Sequence, residues 1–209
     1  MKENNPAAAS SGRMYENPIL EKLTTTSPRM MVPFHLIIAS GCIYWGVHIG
    51  YSSNPLTIGL LFIAGMFFWT FAEYALHRWL FHYVHDAPVM KTIHYAIHGY
   101  HHNAPRDAKR LYMPPIPAIV ILLSFFGLFY LTMGEAAWFF LPGFEIGYLM
   151  YASVHYGVHT RKPPKRLKHL WLHHQLHHHK YPNLAFGVSN TFWDKVFRTM
   201  PPERKKMSA

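Results

Sequence analysis

The chain has 209 residues, half of them hydrophobic and only 14% charged, well below the roughly 25% usual for soluble proteins. With 16% aromatic residues and a mean hydropathy near zero, this is one domain's length of membrane protein with a substantial polar part, neither a soluble globule nor a chain wholly buried in lipid. A single cysteine, Cys42, excludes an intramolecular disulfide framework and a Cys-rich zinc or iron–sulfur site, so any metal must rely on the 17 histidines.

In chain order, the opening "MKENNPAAASSGRMYENP" is polar and shows no cleavable signal peptide. Four apolar runs follow: Phe34 to Tyr51, Leu56 to Phe71 continuing into "AEYALHRWLFH", Ile116 to Met133, and Ala137 to His155 or beyond. Each is close to the ~20 residues a bilayer requires. The fourth contains Pro142, Gly143 and Glu145, which keeps a buried core helix open as its alternative. The connections Ser52 to Pro55 and Gly134 to Ala136 are short, so the runs pair into two hairpins with both chain ends on one side. All 20 Lys and Arg lie in the N-terminal arm, at Arg78, between the hairpins, or after His159, and neither hairpin loop holds one. The positive-inside rule then puts both termini and the central segment in the cytoplasm, at a bacterial inner membrane or the endoplasmic reticulum. The net charge of +10 flanks membrane ends, so anionic lipid headgroups are the expected partner and nucleic acid is not. The expected fold is all-α: a four-helix transmembrane bundle under a cytoplasmic helical cap. As one domain it divides into an arm (1–33), a first hairpin (34–82), a histidine segment (83–115), a second hairpin (116–159) and a histidine-rich cap (160–209).

His35 and His48 read as ordinary polar residues near a membrane interface. The remaining histidines gather at the cytoplasmic side in "HRWLFH", "HYAIHGYHH", "HYGVH" and "HHQLHHH", with His85 and His169 slightly apart. A purification tag does not recur in four internal groups, and a loose metal-scavenging tract would not interleave Trp, Leu, Tyr and Phe in helical register. Residues three and four apart share a helix face, so His98, His101 and His102 can converge, as can His155 with His159, and His174 with His177 and His178. His77 and His82 are five apart, about 140° around an ideal helix, and are expected to straddle a helix end or reach different metals. Ten imidazoles exceed the needs of one ion. Shared between two transition-metal ions they give about five each, with room for water or oxygen.

Outside this set, His94, His173 and His179 are left as supporting or surface residues. Glu73, four before His77, is a candidate to orient it. Tyr151 and Tyr148, at i−4 and i−7 from His155, are candidate substrate contacts, with an interfacial aromatic belt as the alternative. A metal cap on the membrane mouth suits a lipid with its polar head in the interface and its aliphatic chain in the bilayer.

These residues resemble the fatty acid hydroxylase superfamily of integral-membrane, histidine-rich di-iron oxygenases, and within it the fatty acid 2-hydroxylases. The likeness covers nearly the whole chain. It rests on "NPILEKLT", "EYALHRWLFH", "HYAIHGYHHNAPRDAKRLYMPP", "HYGVH" and "HHQLHHHKYPNLAFGVSNTFWDKVFRT"; the histidine boxes are shared with sterol desaturases and carotenoid hydroxylases, and the segments after the second box and at the end are more specific. The resemblance implies metal ligation by His77, His82, His98, His101, His102, His155, His159, His174, His177 and His178. It also implies hydroxylation of the carbon next to the carboxyl carbon of a long acyl chain, free or amide-linked in a sphingolipid. Oxidising an unactivated C–H bond with O2 calls for redox-active iron and external electrons, although imidazoles also accept zinc, which can replace iron in purified protein. About 33 residues precede the first apolar run, too few for the cytochrome-b-type domain fused to some relatives. A separate donor, such as a cytochrome-b-type protein or a ferredoxin, is therefore expected, docking on the basic residues from Arg161 to Lys206. The alternatives are a sterol or carotenoid enzyme of the same superfamily and a non-enzymatic membrane metal binder or transporter, though a transporter would hold ligands near the bilayer midplane.

Overall fold

The computed structural model describes residues 12–83 and 86–202; expectations for the first eleven residues, for His85 and for the basic end after Pro202 lie outside them. The described residues form helices joined by short turns, with no strand. In chain order the helices are α1 (Pro18–Leu23), α2 (Pro28–His48), α3 (Pro55–Ala75), α4 (Pro88–His94), α5 (Tyr100–Asn103), α6 (Pro115–Met133), α7 (Ala137–Thr160), α8 (Lys168–His179) and α9 (Phe192–Val196). Proline opens α1, α2, α3, α4 and α6, where its missing N–H would have no helical acceptor in any case. The side chains of Asn17 and Asn54 cap α1 and α3 by accepting from amides of the first turn. α2 starts at Pro28, six residues before the apolar run, because the polar stretch around Arg29 hides its first turns from a hydropathy reading.

Three stretches are long and apolar enough to cross a membrane: Pro28–His48, Pro55–Phe81 and Ala108–Thr160, the last holding both α6 and α7. Many large side chains on their outer faces are exposed, among them Ile37, Leu60, Ile63, Phe67, Val120, Leu123 and Leu131. An apolar exterior of that extent is what hydrocarbon surroundings favour and water does not.

The long helices pack around α7, which lies against α2, α3 and α6. Its features that argued for a core helix, Pro142, Gly143 and Glu145, are all buried within the bundle. α3 and α7 meet at backbone distance. A Cβ on Gly143 would lie 1.8 Å from the Phe62 carbonyl oxygen, and one on Gly65 would lie 2.0 Å from that of Phe140. One turn on, a Cβ at Gly147 would meet Trp69 Cβ at 2.5 Å. Small residues let helices approach closely where lipid supplies no hydrophobic driving force between them. Around this seam Trp69, Phe129, Phe140 and Phe144 interlock, largely edge to face.

Gly143→Ala is expected to lower stability by about 1–3 kcal/mol, as overpacking does. Gly59→Ala, whose Cβ meets nothing within 4 Å, is expected to leave the melting temperature in detergent unchanged or slightly raised. Equal melting temperatures for the two variants would refute the close-packed seam.

Candidate metal centre

All ten predicted histidines converge at one end of the bundle, and the route by which each arrives depends on local winding. His77 and His82 straddle the end of the second long helix, one of the two outcomes expected, and they are not split between two sites. Residues Leu76–Phe81 wind as a π-helical turn, in which the His82 N–H donates to the His77 carbonyl at 3.2 Å. This wider turn, of a kind often found at functional sites, brings residues five apart onto one side. A second π-turn, Tyr95–Gly99, leads into α5 and sets the angle of the next box.

The rings form two groups of five, with ligand-capable nitrogens within 4.8 Å of one another in each: His77, His82, His98, His102 and His177, and His101, His155, His159, His174 and His178. The triplets do not each converge on a single point, as spacing alone allowed. Each HxxHH box splits. His98 and His102, one turn apart, enter the first group while His101 crosses to the second. His174 and His178 enter the second group while His177 crosses to the first. Each group therefore consists of one two-histidine box, an i,i+4 pair from one triplet and the single middle histidine of the other.

The ring nitrogens test whether a metal fits. In the first group His82 Nε2 stands 3.0 Å from His177 Nε2, 3.3 Å from His77 Nε2 and 3.2 Å from His98 Nε2, and His98 and His102 are 2.9 Å apart. In the second, His101 lies 3.0 Å from both His155 and His178, and His174 lies 2.9 Å from His159 and 3.0 Å from His178. Besides His155, which bonds to the Leu111 backbone, two of these rings have their protonation fixed from behind by carbonyls. His77 Nδ1 donates to the Phe186 carbonyl at 2.5 Å and His177 Nδ1 to that of Leu184 at 2.8 Å, so their Nε2 atoms carry bare lone pairs. Seven of the ten rings are buried and three half-buried. Burial, followed by the neighbouring imidazoles, pushes His82 and His102 down to about 3 and holds His98, His101 and His174 well below the usual imidazole range. For His177 burial is again the main cause, and it lowers the group to about 4. Neutral nitrogens converging at these distances could hold a transition-metal ion.

A loop braces the first group from outside. Two buried carboxylates hold its amides: Asp194 accepts from Phe186 N at 2.9 Å and Gly187 N at 2.8 Å, and Glu73 accepts from Val188 N at 2.7 Å and Ser189 N at 2.8 Å, and from the Ser189 hydroxyl. Glu73 therefore does not orient His77 directly, as expected from the i,i+4 relation; it fixes the loop whose Phe186 carbonyl does. His173 is buried and pairs through Nε2 with Asp194 at 3.0 Å. Asp194 also accepts from Thr199 at 2.7 Å, and its carboxyl is held below its ordinary range by these hydrogen bonds against the opposing effect of burial. His94 is half-buried and belongs to neither group, while His169 and His179 are exposed. Sequence reasoning missed Asp194 and the Leu184 and Phe186 carbonyls; "FGVSNTFWD" drew attention only through the family resemblance.

A cavity of about 580 Å³ begins at His98, His101 and His155 and runs into the bundle. Its walls are mainly apolar, with Leu76 and Leu80 on one side and Ile121, Leu122 and Phe125 on another. Tyr151 stacks on His155 with ring centroids 5.6 Å apart, and Tyr148 accepts from Met113 N at 3.1 Å. Both tyrosines line the cavity and so face inward, unlike an interfacial belt. His35 corrects the sequence reading more sharply: it is 2% exposed and lies deep in the bundle opposite Glu145. His48 is exposed and stacks on Tyr44.

Because the folded imidazoles take up protons only well below their ordinary value of 6.5, their neutral arrangement contributes stability fully above pH 6.5 and loses it as pH falls towards 3–4. Metal-depleted protein is expected to unfold cooperatively within that window, and metal-loaded protein at lower pH, as followed by tryptophan fluorescence in detergent. A metal-depleted protein with flat stability from pH 7 to 4 would contradict this.

The fatty acid hydroxylase family model matches residues 62–199. Among curated proteins, the chain is 38% identical over 148 residues to the fatty acid 2-hydroxylase of Mus musculus, covering 68% of this chain and 40% of that one. It is 36% identical over 191 residues to the ceramide very long chain fatty acid hydroxylase scs7 of Schizosaccharomyces pombe, covering 88% and 53%. To the dihydroceramide fatty acyl 2-hydroxylase FAH1 of Arabidopsis thaliana it is 32% identical over 201 residues, covering 95% and 84%. The chain thus spans about half or less of the length of the first two relatives. A solved structure of full-length scs7p, with only its hydroxylase domain visible, superposes with a TM-score of 0.77 at 31% identity over 91% of this chain and 72% of that one. Matched by the family model over residues 62–199 and sharing the fold of a family member, this chain belongs to the fatty acid hydroxylase family.

Proposed function

We propose that the protein is an O2-dependent lipid hydroxylase that installs a hydroxyl on carbon 2 of a long acyl chain. The observation that carries this reading is the pair of five-histidine groups closing one end of an apolar cavity. The ten histidines are the proposed ligands of two iron ions, one per group. Iron, when bound, supplies the redox chemistry with O2 that closed-shell zinc lacks, although zinc fits the same imidazoles.

The chain's own residues do the rest. The imidazole Nε2 atoms hold the ions, and the Leu184 and Phe186 carbonyls keep His177 and His77 in the ligating tautomer. Tyr151, Tyr148, Leu76 and Phe125 line the acyl path and exclude water, so that C2 is held beside His98, His101 and His155. Arg110 bears on the form of the substrate. It is the sole Lys or Arg among the described residues lining the cavity, and it is already paired with both Glu21 and Asp107. A free carboxylate would find no unengaged cation there, which favours an acyl group in neutral amide linkage, the kind named for the ceramide and dihydroceramide relatives.

In this reading α2, α3, α6 and α7 cross the membrane as two hairpins within one domain, with α8 and α9 capping the cytoplasmic end. Arg161, Lys162, Lys165, Arg166 and Lys168, exposed beside the cap, offer a docking face for a separate acidic electron donor.

Iron-loaded, reduced protein supplied with a long-chain N-acyl sphingolipid and labelled O2 is expected to yield a 2-hydroxyacyl product carrying the label, read by mass spectrometry. His98→Ala and His174→Ala, one from each group, are each expected to lower turnover at least ~100-fold and to reduce bound iron. Label in a sterol or carotenoid instead would favour the related enzymes, and metal uptake without oxidised lipid would favour a transporter.

A further inference from the structure

The cavity's far end holds polar groups for which the acyl-hydroxylation reading has no use. His35 on α2 and Glu145 on α7 are 2% and 0% exposed, and all four of their side-chain nitrogen and oxygen atoms lack a hydrogen-bond partner. The indole Nε1 of Trp69 is buried and unpartnered as well. All three residues line the same cavity. His35 Nδ1 and Glu145 Oε1 are 4.0 Å apart, too far for a hydrogen bond between them but close enough for one oxygen to bond to both. The surroundings give them no partner: Phe125 and Phe144 are apolar, and the Tyr148 hydroxyl, which accepts from Met113 N, makes no bond to either. Buried polar groups are nearly always satisfied, and three orphans around one space call for a missing partner.

The partner must both donate and accept. A hydroxyl does so with a single atom: it can donate to Glu145 while accepting from an N–H of His35 or Trp69. Its position follows from the helix. Glu145 lies ten residues before His155 on α7, so at 1.5 Å per residue it is about 15 Å from the histidine end. At ~1.2 Å per bond of extended chain, that is roughly a dozen bonds from the carbon held at the metal centre.

We propose that His35, Glu145 and Trp69 form a subsite for a hydroxyl on the distal part of the acyl chain, so that the protein selects chains already hydroxylated near their far end. The proposal rests on the acyl-hydroxylation reading for the direction in which the chain lies. The test uses the full chain in detergent with N-acyl sphingolipids of eighteen-carbon acyl chains: plain, with one hydroxyl at about carbon 14, or with one at about carbon 8 as a position control. Thermal-shift titration reads binding, and mass spectrometry reads 2-hydroxylation. The distal hydroxyl is expected to bind about tenfold more tightly than the plain chain, and carbon 8 hydroxylation to bring no gain. His35→Phe and Glu145→Leu should each abolish the ratio, and His35→Asn and Glu145→Gln should retain part of it. Equal binding of plain and distally hydroxylated chains by the unaltered protein would overturn the proposal and leave the space to water. If neither chain were 2-hydroxylated while the binding preference stood, the reaction reading would fail and the subsite would remain.

Discussion

The arrangement depends on the crowding of ten imidazole rings at one end of the bundle, a crowding that a cation shared among their nitrogens would relieve. Imidazole nitrogens face one another across about 3 Å in a region largely closed to water. The usual escape, protonation, is blocked by burial, which holds the rings outside the membrane-spanning stretches neutral far below their ordinary range. The rest of the structure therefore has to hold ten closely crowded rings in place. The long helices, the π-turns and the clamped loop each supply part of that restraint, and none of it comes from the rings themselves.

The long helices supply it by stiffness. α7 carries Tyr151, His155 and His159 on a rod buried along most of its length, and glycines on two facing helices set its distance from α3. A shift at that seam would displace His77 relative to His155, since each sits at the end of its own helix. The glycine contacts and the ring positions are thus one structural fact seen at two depths. The apolar exterior carries no comparable constraint, because lipid competes with any helix partner on nearly equal terms.

Much of this was legible in the sequence. Hydropathy located the long helices to within a few residues at most ends, because 3.6-residue winding and bilayer thickness act on composition directly. The i,i+3 and i,i+4 spacings picked out eight of the ten rings that the structure brings together, and the HxxxxH pair gave His77 and His82. What escaped is equally physical. The π-turn at Leu76–Phe81 changes which residues share a side, and no residue type announces it. The split of each HxxHH triplet is invisible because one turn of helix can address two points about a ring-width apart. His35 was misplaced because hydropathy gives depth along a span but not rotation about it, and rotation decides whether a polar side chain meets lipid, interface or cavity.

The brace carries the logic one step further. Asp194 and Glu73 accept the amides of residues 186–189, and this turns the Leu184 and Phe186 carbonyls toward the rings. Those carbonyls fix the tautomer of His177 and His77, both in the first group. In the second group His174 and His178 have buried Nδ1 atoms with no partner. The two groups are alike in ligand number and unlike in preparation. In the first, His77 and His177 are held by carbonyls, and in the second His155 bonds to the Leu111 backbone while His174 and His178 receive no such support. The clamp acts on the group of His77 and His177, and the sharing of His101 and His177 between the boxes couples any movement of one group to the other.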